Sequence, residues 1–192
     1  MRKIVRKSFH FDFVVLTLSY NQPRFCLNTF WNSNVKTFAN QSFVGIVPYG
    51  IFVNSNNSIY IANRETGQIH IWLNENHHNP TKTISSRLSY PLSLFVTTND
   101  DIYVDNGKNG RVDKLIVENE TWISVMNVTS ACFGLFIDIF ENLYCSIRDN
   151  HRVDKKWSNG TTTIVAGTGG YGSQSDMLWS PYGIFVDINL DL

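Results

Sequence analysis

No stretch of this 192-residue chain approaches the roughly 20 apolar residues of a membrane-spanning helix. Neither sign of charge is in excess. Lys+Arg and Asp+Glu number 16 each, so the formal net charge is zero and neither nucleic acid nor an anionic membrane is favoured as the main partner. Cysteine is scarce: Cys26, Cys132 and Cys145 have no C-x-x-C spacing, which argues against a zinc module. Helical patterning is missing too, because no segment of helix length carries apolar residues at a 3.6-residue period. What the chain has is 43% hydrophobic and 14% aromatic residues, enough for a packed core.

The start is a basic "MRKIVRK" followed by "FHFDFVVLTLSY". His10 and Asp12 interrupt the apolar part, and its clean core, Phe13–Leu18, is shorter than the ~7–15 residues of an ordinary signal peptide. Residues 1–25 are read as a leader, either signal peptide or signal-anchor. Sequons for N-glycosylation begin at Asn40, Asn56, Asn119, Asn127 and Asn159. With the imperfect leader they point to a secreted or extracellular protein.

Repetition organises the rest. Ile51, Leu94, Leu135 and Ile184 open one column, followed by Phe52, Phe95, Phe136 and Phe185, then Val53, Val96, Ile137 and Val186. The five-residue loops "NSNNS", "TTNDD", "DIFEN" and "DINLD" come next, then Ile59, Ile102, Leu143 and Leu192. A tyrosine follows in the complete copies, at Tyr60, Tyr103 and Tyr144. Apolar β-branched and aromatic runs broken by Asn/Asp/Ser turns read as strands. Four such runs recur about every 41–49 residues, the period of a propeller blade. The "GIFV"-like run is expected to be the innermost and most buried strand. The third runs, "RVDKLIV" and "RVDKKW", alternate and are expected to show one face to water.

The stretch "VAGTGGYGSQSDMLWSPYGIFVD", 165–187, resembles the NHL-repeat family, with Ala-Gly-Thr-Gly, a Gly-rich connection, Leu, Pro-x-Gly and an inner strand. "YVDNGKNGRV" and "YCSIRDNHRV" are similar to the family's next segment through Asn109, Arg111, Asn150 and Arg152. Asn63 and Asn106 stand where Asp is usual, and Ile147 departs from the pattern. The resemblance covers about 26–192 and implies an all-β, incomplete NHL-type propeller. Its repeats lie near 48–88, 89–129 and 130–178, with a fourth begun at 179–192. Residues 31–40, "WNSNVKTFAN", resemble an outer strand that closes a last blade. A chain cut short in this way is expected to self-associate through its open blade faces. The Asn/Ser-rich style is similar to secreted invertebrate NHL-repeat proteins.

"GTGGYG", 167–172, lacks the Gly-Lys-Ser/Thr of a P-loop and leads into a strand, so it reads as a connection and no cofactor is implied. His77-His78 lack further ligands at a metal-site spacing. Arg111, Lys114, Arg152, Lys155 and Lys156 recur in the third strands, interleaved with Asp113 and Asp154, as on solvated outer strands. Cys132 replaces a column proline, and Cys145 takes the column of Ile61 and Val104. A disulfide across that hairpin is expected, two buried thiols being the alternative. A five-residue loop sets Leu135, not Cys132, opposite Cys145, so a bend near Phe133-Gly134 is required.

No catalytic constellation is visible. The expected function is a non-enzymatic module presenting propeller loops to a protein or glycan. The alternatives are a lyase or lactonase-like hydrolase whose site needs further blades, and a cytoplasmic NHL domain that binds RNA or serves a ubiquitin ligase.

Overall fold

The structure is a computed structural model and describes residue 21 and residues 37–73, 79–85 and 88–192. Cys26, His77-His78 and most of the expected leader lie outside the described residues. A short helix, Gln41–Val44, precedes the sheets, with Asn40 as its N-cap: the side chain accepts from the Ser42 amide.

Three four-stranded antiparallel sheets follow in chain order. The first holds β1 (Gly50–Val53), β2 (Ile59–Asn63), β3 (Gln68–Trp72) and β4 (Lys82–Ser85). The second holds β5 (Leu94–Val96), β6 (Ile102–Asn106), β7 (Arg111–Ile116) and β8 (Thr121–Asn127). The third holds β9 (Cys132–Ile137), β10 (Leu143–Ile147), β11 (Arg152–Lys156) and β12 (Thr162–Ala166). Each sheet meanders from an inner to an outer strand, and the inner strands β1, β5 and β9 pack side by side. These are blades of a β-propeller.

The five-residue loops build one turn four times. The amides of Asn54, Thr97, Asp138 and Asp187 donate to the carbonyls of Ser58, Asp101, Asn142 and Asp191. In three copies a side-chain oxygen closes the turn as well. Asn54, Asp138 and Asp187 each accept from the amides two and four residues on, at 2.8–3.0 Å. The same column then takes left-handed backbone, at Asn57, Asp100, Glu141 and Leu190. The fourth copy thus forms its turn although no strand is assigned over 179–192.

The core runs through the blades rather than along one strand of each. Phe52, Phe95, Phe136 and Phe185 form a continuous row, with ring centroids 4.8, 5.2 and 5.4 Å apart. The expectation that inner strands are the most buried needs correction. Ile51 of β1 is 63% exposed, because its blade has no neighbour on that side among the described residues. Every residue of β10, a second strand, is buried. The third strands also depart from expectation: His70, Asp113 and Asp154 share a column and all are buried. The outer strands β4, β8 and β12 carry the exposed faces.

Cys132 and Cys145 are joined by a disulfide, with Cα atoms 5.3 Å apart. Gly134 pairs with Ser146 and Cys132 with Ile147, so Phe133 is an extra residue in β9. That bulge swings the chain toward Cys145 and turns Phe133 out of the ladder. Closing a loop of this length stabilises by about 3 kcal/mol in the chain-entropy account.

Candidate functional site

The third-strand cations are engaged within and between the blades. Arg111 pairs with Asp113 at 2.8 Å, Lys114 with Asp101 at 2.9 Å and Arg152 with Asp154 at 2.8 Å. Lys155 lies 3.7 Å from Asp138, and Lys156 donates to the Val125 carbonyl. Asp138 also accepts from the Tyr144 hydroxyl at 3.0 Å. Burial, with that carboxylate, drives the Tyr144 phenol upward. The ion pairs bind each blade to itself, the Lys156 bond ties the third blade to the second, and the column offers no free basic strip.

Further charge sits elsewhere, at the face where the inner strands begin, and of it Arg148 lies 3.6 Å from Asp149. The residue two places before each inner strand's first column is Tyr49, Leu92, Phe133 or Tyr182. Phe133 meets Tyr182 at 5.1 Å and Tyr49 at 6.2 Å, both edge to face. The turn between the second and third strands then adds a cation beside each ring. Arg64 stands 5.4 Å from the Tyr49 ring centre and 5.3 Å from that of Tyr90. Arg148 takes the same column and lies 5.3 Å from both Phe133 and Tyr182. Lys108 lies 3.7 Å from the Tyr90 ring. Rings and cations therefore alternate around one mouth. Tyr49, Tyr90 and Tyr182 are all exposed there.

A groove of about 460 Å³ opens beside this mouth between the second and third blades. Arg64, Tyr90, Lys108, Ser130, Phe133 and Asp149 are among its lining. Tyr90 holds left-handed backbone, φ +58°, a costly state for a bulky residue. Gly107 also lines the groove; a Cβ there would come 2.7 Å from the Tyr90 carbonyl and 3.2 Å from Asp105 Oδ2, so only glycine fits. Asp105 is fully buried, and its Oδ1 accepts from the Cys132 amide at 2.9 Å. Burial is the main force on it: its carboxyl is pushed up to about 7, against the pull of the Cys132 and Leu92 amides.

The five sequon asparagines, Asn40, Asn56, Asn119, Asn127 and Asn159, are all exposed. The "GTGGYG" connection is pinned rather than open. A Cβ at Gly167 would strike the His151 carbonyl at 2.3 Å, and Tyr171 packs between His151 and Trp179 at 5.6 and 5.5 Å. Asn21, within the expected leader, is buried between the first two blades and donates to the Val96 and Thr97 carbonyls at 2.7 and 2.6 Å. The mouth itself is absent from the sequence reading. Its signals were the aromatic column at 49, 133 and 182 and the recurrence of arginine at 64 and 148.

No family model matches the chain, and no curated protein matches it. Solved structures do. Hydrazine synthase of Kuenenia stuttgartiensis is 17% identical with a TM-score of 0.55, the match covering 81% of this chain and 41% of that one. A catalytically inactive virginiamycin B lyase from Staphylococcus aureus, with quinupristin, is 11% identical with a TM-score of 0.52, covering 71% and 44%. A streptogramin B lyase structure is 15% identical with a TM-score of 0.50, covering 61% and 39%. The chain thus spans 39% to 44% of these structures' length. At such identities the likeness is one of fold, and the fold is that of a β-propeller.

Proposed function

We propose that this chain is the blade-bearing part of an NHL-type propeller that works as a non-enzymatic interaction module, binding a protein or glycan at the axial mouth. One observation carries the reading: Tyr49, Phe133 and Tyr182 form one contiguous aromatic surface with Arg64 and Arg148 set between the rings. Tyrosines and arginines clustered at one surface are what binding hot spots are made of. The RNA-binding alternative has less support, because the third-strand cations are paired with Asp113, Asp101 and Asp154. The enzyme alternative has less support because Asp105, a carboxyl whose pKa would suit proton transfer, is sealed from the groove.

The test is capture of ligands from arrayed secreted proteins and glycans by the full chain. A Tyr49→Ser/Tyr182→Ser variant should retain at least about tenfold less of any captured ligand, with an unchanged circular-dichroism spectrum. Capture that is indifferent to both substitutions refutes the mouth as the binding face.

Secretion belongs to the same proposal. It is supported by the exposure of all five sequon asparagines and by the Cys132–Cys145 disulfide, a bond of oxidising compartments. Made in a eukaryotic secretory host, the protein should gain mobility on a gel after glycosidase treatment. No shift, with free thiols at Cys132 and Cys145, refutes it.

A further inference from the structure

We propose that the groove beside the mouth is a subsite for an anionic sugar residue, one whose charge is a uronate carboxylate or a sulfate. This rests on the reading of the mouth as a binding face and names the chemistry of its ligand.

The argument begins with charge. In a chain of zero net charge, Arg64 and Lys108 both point at one ring, Tyr90, and neither has a carboxylate partner among the described residues. The Arg64 Nε is buried without an acceptor. Arg64 as a whole is half-buried, and an oxyanion in the groove can take N–H groups on the accessible part of a planar guanidinium, two at once in the bidentate case. The groove's own carboxylate does not supply it. Asp149 accepts from the Ser130 hydroxyl at 3.0 Å and lies 3.6 Å from Arg148.

Shape then separates the possible anions. The groove is walled by turns and strand ends, so it offers no free sheet edge on which an acidic peptide could add as a strand. Its volume of about 460 Å³ falls within the range of small-ligand sites. Its lining includes the exposed ring of Tyr90 and a second ring, Phe133, from the third blade. Lys108 and Arg64 stand over the Tyr90 ring, so a saccharide lying along the groove brings its charged substituent to those cations and its C–H groups against the remaining aromatic surface. Tyr90 is kept in place at a cost in backbone strain, as befits a ligand clamp.

The experiment is calorimetric titration of the full chain with hyaluronan oligosaccharides, which carry carboxylate alone, and dextran sulfate oligosaccharides, which carry sulfate alone. Neutral chitin oligosaccharides, polyglutamate and oligouridylate are the comparisons. Binding of either anionic saccharide, weakened by salt, is expected, and the arm that binds identifies the anion. Arg64→Ala and Lys108→Ala should each weaken it about tenfold or more, as expected for loss of a charged hydrogen bond. Lys82→Ala, remote from the groove, should not. Tyr90→Ala should weaken it at high salt too, where the ionic part is screened. Equal binding of neutral chitin oligosaccharides overturns the proposal. So does polyglutamate or oligouridylate binding more tightly through the same cations, or no anionic saccharide binding at all. Those results leave the mouth standing as a binding face. That reading fails separately, if ligand capture ignores the loss of Tyr49 and Tyr182.

Discussion

Replacing Phe95 with alanine is expected to cost about 3–5 kcal/mol of folding stability. Phe95 is 1% exposed and stands between Phe52 of the first blade and Phe136 of the third. Truncation removes its own burial and also takes a contact surface from both neighbours, leaving a cavity at two interfaces at once. In repeat architectures the interfaces between neighbours carry much of the stability. A domain stable by 5–15 kcal/mol would lose a large fraction of it. Phe185→Ala provides the internal comparison. That ring touches Phe136 at 5.4 Å but is 46% exposed, so its loss should cost well under half as much. Urea denaturation of the two variants measures the difference. Equal costs, or a Phe95→Ala cost below about 1 kcal/mol, refute the view that the phenylalanine row couples the blades.

The row was legible in the sequence because packing between blades demands one residue type at one place in every copy. The hairpin loops were legible for a related reason. An Asx side chain closing its own turn and a left-handed position six residues after the first column leave a polar five-residue signature. The bend at Phe133-Gly134 followed from register alone: a five-residue loop leaves Cys132 out of line with Cys145, and the bulge in β9 makes up the difference.

The burial of the third strands was less legible. Asp113 and Asp154 look like solvated charges when read along the strand, yet each is held by an arginine two residues away on the same strand. The binding face was hidden by its own irregularity. Leu92 interrupts the aromatic column of Tyr49, Phe133 and Tyr182, and Gly107 interrupts the arginine column of Arg64 and Arg148. Tyr90 has no aromatic counterpart at all, since Val47, Ala131 and Ser180 share its column. A repeat comparison finds what the copies have in common, and the groove lies where the second blade differs from the others.

Asp105 differs from its column in the same way, Ala62 and Ser146 being its counterparts, and it leads to the second large effect. Its carboxyl is at about 7 in the folded protein, against an ordinary value of 3.8, chiefly through burial and with a smaller contribution from Asp113. Below about pH 4 the group is neutral in both the folded and unfolded chains, and its contribution to stability is intact. Between about pH 4 and 7 the unfolded chain has released the proton and the folded one keeps it. Stability therefore falls as pH rises through that window, and above about 7 the full loss is in place. Three pKa units correspond to about 4 kcal/mol at most.

Asp105→Asn removes the titration. Its amide oxygen can still accept from the Cys132 N–H, now 2.9 Å from Oδ1, and no charge is left to bury. The variant is expected to be more stable than the parent at pH 8, by up to about 4 kcal/mol, and nearly equal to it at pH 4. Asp105→Ala makes a second comparison. It also loses the titration, but it leaves the buried Cys132 amide unpaired at a cost of about 1–3 kcal/mol at every pH. Thermal melts of the three proteins from pH 4 to 8 decide the matter. If Asp105→Asn follows the parent's pH profile throughout, the carboxyl does not titrate in this window and the account of its burial is wrong.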